Sequence, residues 1–144
     1  MAVPQYSARS SIREVVQRYV DAYRTGDTTW VDEIVSSAFV DHSFPAFSGR
    51  AGVCKSIKLL HESFAAIELR VEDCVCSDDT AAIRVVTTAT HVGAFAGKPA
   101  TGKRVTWSSC DFIRFHNGKI SELWSVQDTI SLLHGIGALD APAG

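Results

Sequence analysis

One carboxylate in this sequence stands where a core residue is expected. The stretch RVTWSSCDFIRF, residues 104–115, has the composition of a buried β-strand, and Asp111 interrupts it between Cys110 and Phe112. Side chains alternate along a strand, so Trp107, Ser109, Asp111, Ile113 and Phe115 share one face, and Thr106, Ser108, Cys110, Phe112 and Arg114 share the other. A carboxyl placed among apolar neighbours loses hydration. Its proton is then held more tightly, which suits it to proton transfer at moderate pH. The bland alternative is an ion pair, with Arg84 on the preceding strand the obvious cation. A second carboxylate nearby would raise the proton affinity further or share the proton. Asp41 is the natural partner. His42 follows it directly, and adjacent residues of an extended segment point apart, so one of the two enters a site and the other does not. Tyr19 offers a phenol that can donate to a substrate oxygen. His91 closes a strand, where a hydrogen-bonded histidine is the commoner outcome. Trp107 and Trp124 can supply apolar surface for a greasy ligand. Ser125 shares a face with Gln127, whereas Asp128 fits an N-cap for the segment that follows.

The elements that must hold these residues are legible from periodicity. Ile12, Val15, Val16, Tyr19, Val20 and Tyr23 recur at helical spacing, with Ser11 and Glu14 at capping-box distance and Gly26 as a stop. A short helix is expected over about residues 29–36, a brief extended piece at FVDHSF, and a third helix over about 52–65. After that the period changes to two. IELRVEDCVC, AAIRVVTTATHVGAF, RVTWSSCDFIRF and ISELWSVQD read as four strands of an antiparallel meander. Asn117-Gly118 is a strong type I′ hairpin signal. Residues 129–139 suggest a final helical turn. Three helices ahead of a strand meander are the pattern of an α+β domain with helices packed on one face of a curved sheet. Such a sheet forms a cone with a pocket in its mouth.

Composition narrows the function classes. The chain has 144 residues, 46% of them hydrophobic and 21% charged, with a formal net charge of −2. That is the length of one domain, expected to span 1–144 with flexible ends at 1–9 and 140–144. No basic run speaks for nucleic acid, and no apolar run is long enough for a membrane. The N-terminus lacks the apolar core of a signal peptide, so a cytoplasmic protein is expected. Cys54, Cys74, Cys76 and Cys110 lack the spacing of a zinc site and read as free thiols.

Three segments carry a resemblance that spans nearly the whole chain: FVDHSFPAFSGRAG, THVGAFAGKPATGKRVTW and FHNGKISELWSVQD. Together they resemble the SnoaL-like polyketide cyclases of the nuclear-transport-factor-2-like superfamily. The resemblance implies a helix-closed cone whose concave side carries Asp111. It implies ring closure on an apolar polyketide-like molecule without metal or organic cofactor, and a homodimer formed through the outer face of the sheet. It also implies that anthracycline-type members place their key carboxylate where this chain has Ser125. Other pocket positions of the family match Asp111 and Asp41. Tyr19, Asp41 and Asp111 together are similar to the set found in superfamily members that open epoxides. The expected site is therefore Asp111 and Asp41 (or His42) for acid/base work, with Tyr19, His91, Trp107, Ser109, Trp124 and Ser125 binding substrate. An epoxide-opening enzyme or isomerase and a non-catalytic binding module remain the competing expectations, because one fold hosts many functions.

Overall fold

The structure is a computed structural model that describes residues 5–140, with side chains described from residue 11 onward. Its order is α1 (Gln5–Thr25), α2 (Val31–Ile34), β1 (Val35–Asp41), a 3-10 turn (Pro45–Phe47), α3 (Gly49–Ser63), β2 (Phe64–Cys76), β3 (Thr80–His91), β4 (Arg104–His116), β5 (Lys119–Gln127) and α4 (Thr129–Gly135). The helices lie against one face of a five-stranded sheet ordered β1-β5-β4-β3-β2. The meander β2 to β5 is antiparallel, and β1 joins its far edge parallel to β5. This is the expected α+β architecture, with an open rather than closed sheet.

The stripe on α1 drives the packing. Ile12, Val16, Tyr19 and Val20 are buried together with Ile83, Val85, Ile113, Phe115 and Leu123 from the sheet. A second apolar cluster forms where α4 folds back, and it joins Phe64, Ala89, Val105, Trp107, Leu132 and Ile136. Each buried aliphatic side chain contributes about 1.5–3 kcal/mol relative to exposure. The two clusters are the main source of cohesion. Bulges in β1, in β2 and in β5 opposite Arg114/Phe115 give the sheet its curl.

The element boundaries differ from expectation by a few residues in several elements, α3, β2 and β3 among them, and most in α1, α2 and β1. Helix α1 starts at Gln5, so Ser11 lies inside it and is not a cap, and residues 5–9 are helical. Nothing in the sequence between Gln5 and Ser10 breaks a helix, and the good formers Gln5, Ala8 and Arg9 carry it upstream. The expected flexible ends otherwise fall at 1–4 and 141–144, outside the described residues. Helix α2 is only four residues long, because the chain turns extended at Val35. That strand runs to Asp41 and absorbs the first half of the FVDHSF piece. The hairpin expectation holds: Asn117 and Gly118 have φ of +50° and +75°, the left-handed pair a type I′ turn requires.

One close approach fixes the loop that follows β1. A Cβ on Gly52 of α3 would lie 2.3 Å from the backbone carbonyl of Phe47, so the turn sits directly on the helix. We expect Gly52→Ala to cost about 2 kcal/mol, as backbone must move to relieve the clash. A thermal melt reads this as a fall of several degrees.

Candidate functional site

Asp111 lies at the middle of β4, on the inner face, between the two apolar clusters. Ile113 on one side belongs to the α1 cluster and Trp107 on the other to the α4 cluster. The strip between them is polar, with Ser109 and Asp111 on β4 and Ser125 opposite Asp111 on β5. The Ser125 hydroxyl donates to Asp111 Oδ1 at 2.6 Å. Burial raises the Asp111 pKa above the ordinary carboxylate value; the Ser125 bond opposes this, and the charge of Asp41 adds to it. Arg84 does not neutralise Asp111. It sits on the outer face, opposite Cys110, and pairs with Asp73 at 2.7 Å.

Asp41 ends β1 and turns inward, almost fully buried. Its Oδ1 accepts from the backbone N–H of Ser43 at 3.0 Å and of Phe44 at 2.8 Å, which closes the turn after the strand. Its own N–H donates to Ser48 Oγ at 3.0 Å. The Ser43 hydroxyl then accepts from the Ser125 N–H at 2.7 Å. A continuous hydrogen-bonded path therefore runs Asp41, Ser43, Ser125, Asp111. It ties the two carboxylates to one rigid frame with no cation among the described residues beside them. Tyr19 reaches the same region from α1. Its phenol is held well above the usual pKa, by burial first and then by the neighbouring Tyr23, Asp111 and Asp41. It is a neutral hydrogen-bonding group at any ordinary pH.

Several expected members of the site are elsewhere. His42 points to the outer face, where its ring stacks on Trp124 at 4.4 Å and its Nε2 lies 3.1 Å from Glu122. Trp124 is on that face too, opposite the exposed Phe112, and Arg114 lies over its ring at 5.3 Å. Alternation along β5 puts Trp124 and Ser125 on opposite sides, so both cannot line one pocket. Asp41 and His42 likewise lie on opposite sides, Asp41 on the inner one. His91 is inner and fully buried, but it stands eight residues beyond the Asp111 level of β3, about 26 Å along the strand at ~3.3 Å per residue. There it packs on Phe64, and its Nδ1 takes the Thr101 hydroxyl at 2.9 Å. It anchors the 92–103 loop and does not meet Asp111. Trp107 and Ser109 are on the expected face, Trp107 packed on Phe64 at 5.2 Å.

The sequence reading overlooked Ser43 and Ser48, which organise the Asp41 turn. The Asp-x-Ser spacing at 41–43 is a turn signal that could have marked Ser43; nothing local marks Ser48. Two surface clefts, of about 360 and 450 Å³, are lined by Cys54, Lys58 and His61 and by Val40, Arg114 and Glu122 respectively; neither is lined by Asp111. Among the described residues, no group of three or more His, Cys, Asp or Glu side chains is arranged to hold a metal, and no helix is long and apolar enough to cross a membrane.

Residues 13–136 match the family model described as SnoaL-like polyketide cyclase. The chain belongs to that family. Among curated proteins it is similar to the aklanonic acid methyl ester cyclase DnrD of Streptomyces peucetius, 28% identical over 116 residues that cover 76% of this chain and 79% of the relative. Among solved structures it is similar to TsrD from Streptomyces laurentii, with a TM-score of 0.86, 24% identity and coverage of 91% and 98% of the two chains. It is also similar to AclR from Streptomyces galilaeus, with a TM-score of 0.82, 29% identity and coverage of 93% and 86%.

The raised pKa of Asp111 has a consequence for stability. The folded chain binds that proton more tightly than the unfolded chain, so the group stabilises the fold at low pH and loses this as pH rises through its folded pKa. At neutral pH the ionised, desolvated carboxylate is a net cost. Asp111→Asn should therefore melt higher than wild type at pH 7, by a margin that shrinks as pH falls toward about 4. Melting curves over that range check it; a margin independent of pH contradicts the burial argument.

Proposed function

We propose that this protein closes a carbocyclic ring in a polyketide-derived small molecule, with Asp111 as the proton carrier. The observation that supports this reading most directly is the Asp111–Ser125–Ser43–Asp41 frame. It puts two carboxylates on one inner face with no cation among the described residues beside them, and burial, with the charge of Asp41 adding to it, raises the proton affinity of Asp111, which suits exchange with a carbon acid. In an aldol closure Asp111 takes a proton from the carbon between two carbonyls, and the C–H electron pair becomes an enolate. The enolate carbon attacks a second carbonyl of the same chain, forming the C–C bond and an alkoxide. The alkoxide recovers the proton from Asp111, so atoms and charge balance without an external reactant. Tyr19, kept neutral, donates a hydrogen bond to an oxygen that gains negative charge. Asp41 contributes its charge and holds the turn. Trp107 and the flanking apolar side chains keep the chain folded for attack.

The resemblance puts the carboxylate of anthracycline-type members at Ser125, and here it stands across the strand pair at Asp111. The reading keeps the same inner face and moves the acid/base group by one strand. The absence of an Asp111–Arg84 pair counts against a binding module in which Asp111 is only a structural anchor. The same reading includes a homodimer through the outer face, where Phe112 and Val126 are 51% and 74% exposed. Sedimentation at micromolar concentration should give a dimer, and Phe112→Asp should shift it to monomer.

Aklanonic acid methyl ester, named for the relative DnrD, is the first compound to assay, with ring closure followed by chromatography because cyclisation leaves the mass unchanged. On whichever polyketide ester the wild type cyclises, Asp111→Asn should lose at least about 100-fold in kcat, the scale of a positioned acid/base group. Full turnover by that variant overturns the assignment. Ser125→Ala should remain active but move the acidic limb of the pH–rate profile to higher pH, since the bond that lowers the Asp111 pKa is gone.

A further inference from the structure

Two cysteines stand together on the edge strand of the sheet. Cys74 and Cys76 are two residues apart on β2, so their side chains share the inner face, and Val75 between them is exposed on the other. The ladder is regular there: Cys74 faces Ile83, Cys76 faces Ala81, and the β2 bulge ends before them, between Val71 and Asp73. The two Sγ atoms lie 3.6 Å apart as free thiols. Both are half-buried against the α1 cluster. Burial first, and then Cys76 beside it, push the Cys74 pKa above the ordinary thiol value, so its proton stays on sulfur at neutral pH.

Direct closure of this pair is strained. A disulfide needs Cα atoms within about 6.8 Å, and two residues of extended strand already span about 6.6 Å along its axis. One soft atom placed between the sulfurs removes the strain. We propose that Cys74 and Cys76 form a dithiol site that captures a trivalent organoarsenical. Sulfur is a soft donor and prefers soft partners to the hard cations that carboxylates take. Arsenic(III) is pyramidal, and two sulfurs bonded to it lie at nearly the separation seen here; a linear two-coordinate metal spreads them farther. An aryl arsenoxide, R–As=O, reacts with both thiols. Two As–S bonds form, the As–O bond breaks, and the oxygen leaves as water with the two thiol protons. Arsenic stays trivalent, so no oxidant or reductant takes part. The apolar residues packed around the pair suit an aryl substituent, and β2 lies at the edge of the sheet, with no further strand beyond it. Cys74, Ile83, Asp111 and Ser125 are successive partners across β2 to β5. Two strand spacings, about 10 Å, therefore separate the dithiol from Asp111. The site uses none of the acid/base groups.

Phenylarsine oxide is the probe, and mass spectrometry of the intact chain reads the adduct. The wild type should gain one phenylarsenic group with loss of one water. It should keep that group in a large excess of a monothiol and release it to 2,3-dimercaptopropanol. The second As–S bond closes within the chain at an effective concentration of about millimolar or more, so losing it should weaken retention by at least about 100-fold. Cys74→Ser and Cys76→Ser should each show that loss. Cys54→Ser and Cys110→Ser, whose thiols lie on α3 and on the outer face of β4, should hold the adduct as the wild type does. A second measurement needs no variant: the bound arsenical should protect Cys74 and Cys76 from iodoacetamide, read by peptide mapping. Protection of any other pair overturns the proposal. So does an adduct that the monothiol strips from the wild type, or one that survives in Cys74→Ser or Cys76→Ser; the two thiols then only pack.

Discussion

The inner face of this sheet depends on a hydrogen-bonded path that joins two carboxylates through two serines. Asp41 accepts from the Ser43 N–H, Ser43 accepts from the Ser125 N–H, and Ser125 donates to Asp111. Each link uses a group that the surrounding backbone has already fixed. Ser125 is held by the β4–β5 ladder, Asp41 by its pairing beside Leu123, and the turn between them by Ser48 and the close contact of Gly52 on Phe47. Two acidic groups on a partly dry surface repel one another and lose hydration. Fixed dipoles compensate in part, and the remainder appears as the raised proton affinity of Asp111.

That remainder is what makes the packing matter for chemistry. The α1 cluster and the α4 cluster meet the sheet on either side of the polar strip, and each contributes one wall. Neither cluster includes Asp111 or Ser109. The same apolar burial that stabilises the fold thus removes water from the carboxyl without covering it. Tyr19 belongs to both systems: its ring is part of the α1 cluster, and its phenol lies within the field of Asp111 and Asp41. A helix stripe built for packing brings this neutral phenol to the inner face as a by-product of its 3.6-residue period.

The order of helices and strands, the Asn117-Gly118 turn and the inner parity of Asp111 were readable because they follow from periodicity of two or 3.6 and from turn chemistry. The parity of Trp124 was equally readable, and it already set that residue against Ser125. Both were expected at one site, Trp124 as an apolar surface and Ser125 at the family's carboxylate position, and alternation sets them on opposite faces. His91 failed differently. Its face was right, but its distance from Asp111 depends on the register between β3 and β4, and the loop 92–103 between them hides that register in one sequence. The Asp41 frame was hidden for a similar reason, since Ser43 and Ser125 are 82 positions apart and meet only because β1 pairs parallel to β5. Tyr23 and Ser56 likewise meet only through the angle between two helices.

Asp111 and Ser125 are directly opposed across an antiparallel pair, so their side chains emerge on the same side about 5 Å apart. Exchanging a carboxylate and a hydroxyl between such positions keeps both groups on the inner face and keeps their mutual hydrogen bond. It alters which end of that bond lies nearer α1. With the carboxylate on β4, it comes within the field of Tyr19 and Tyr23, and the serine takes the place beside the Asp41 turn, where its backbone N–H binds Ser43. The resemblance implies a carboxylate at the Ser125 position in anthracycline-type members. The fold therefore constrains the pair and its face more tightly than it constrains which strand bears the charge.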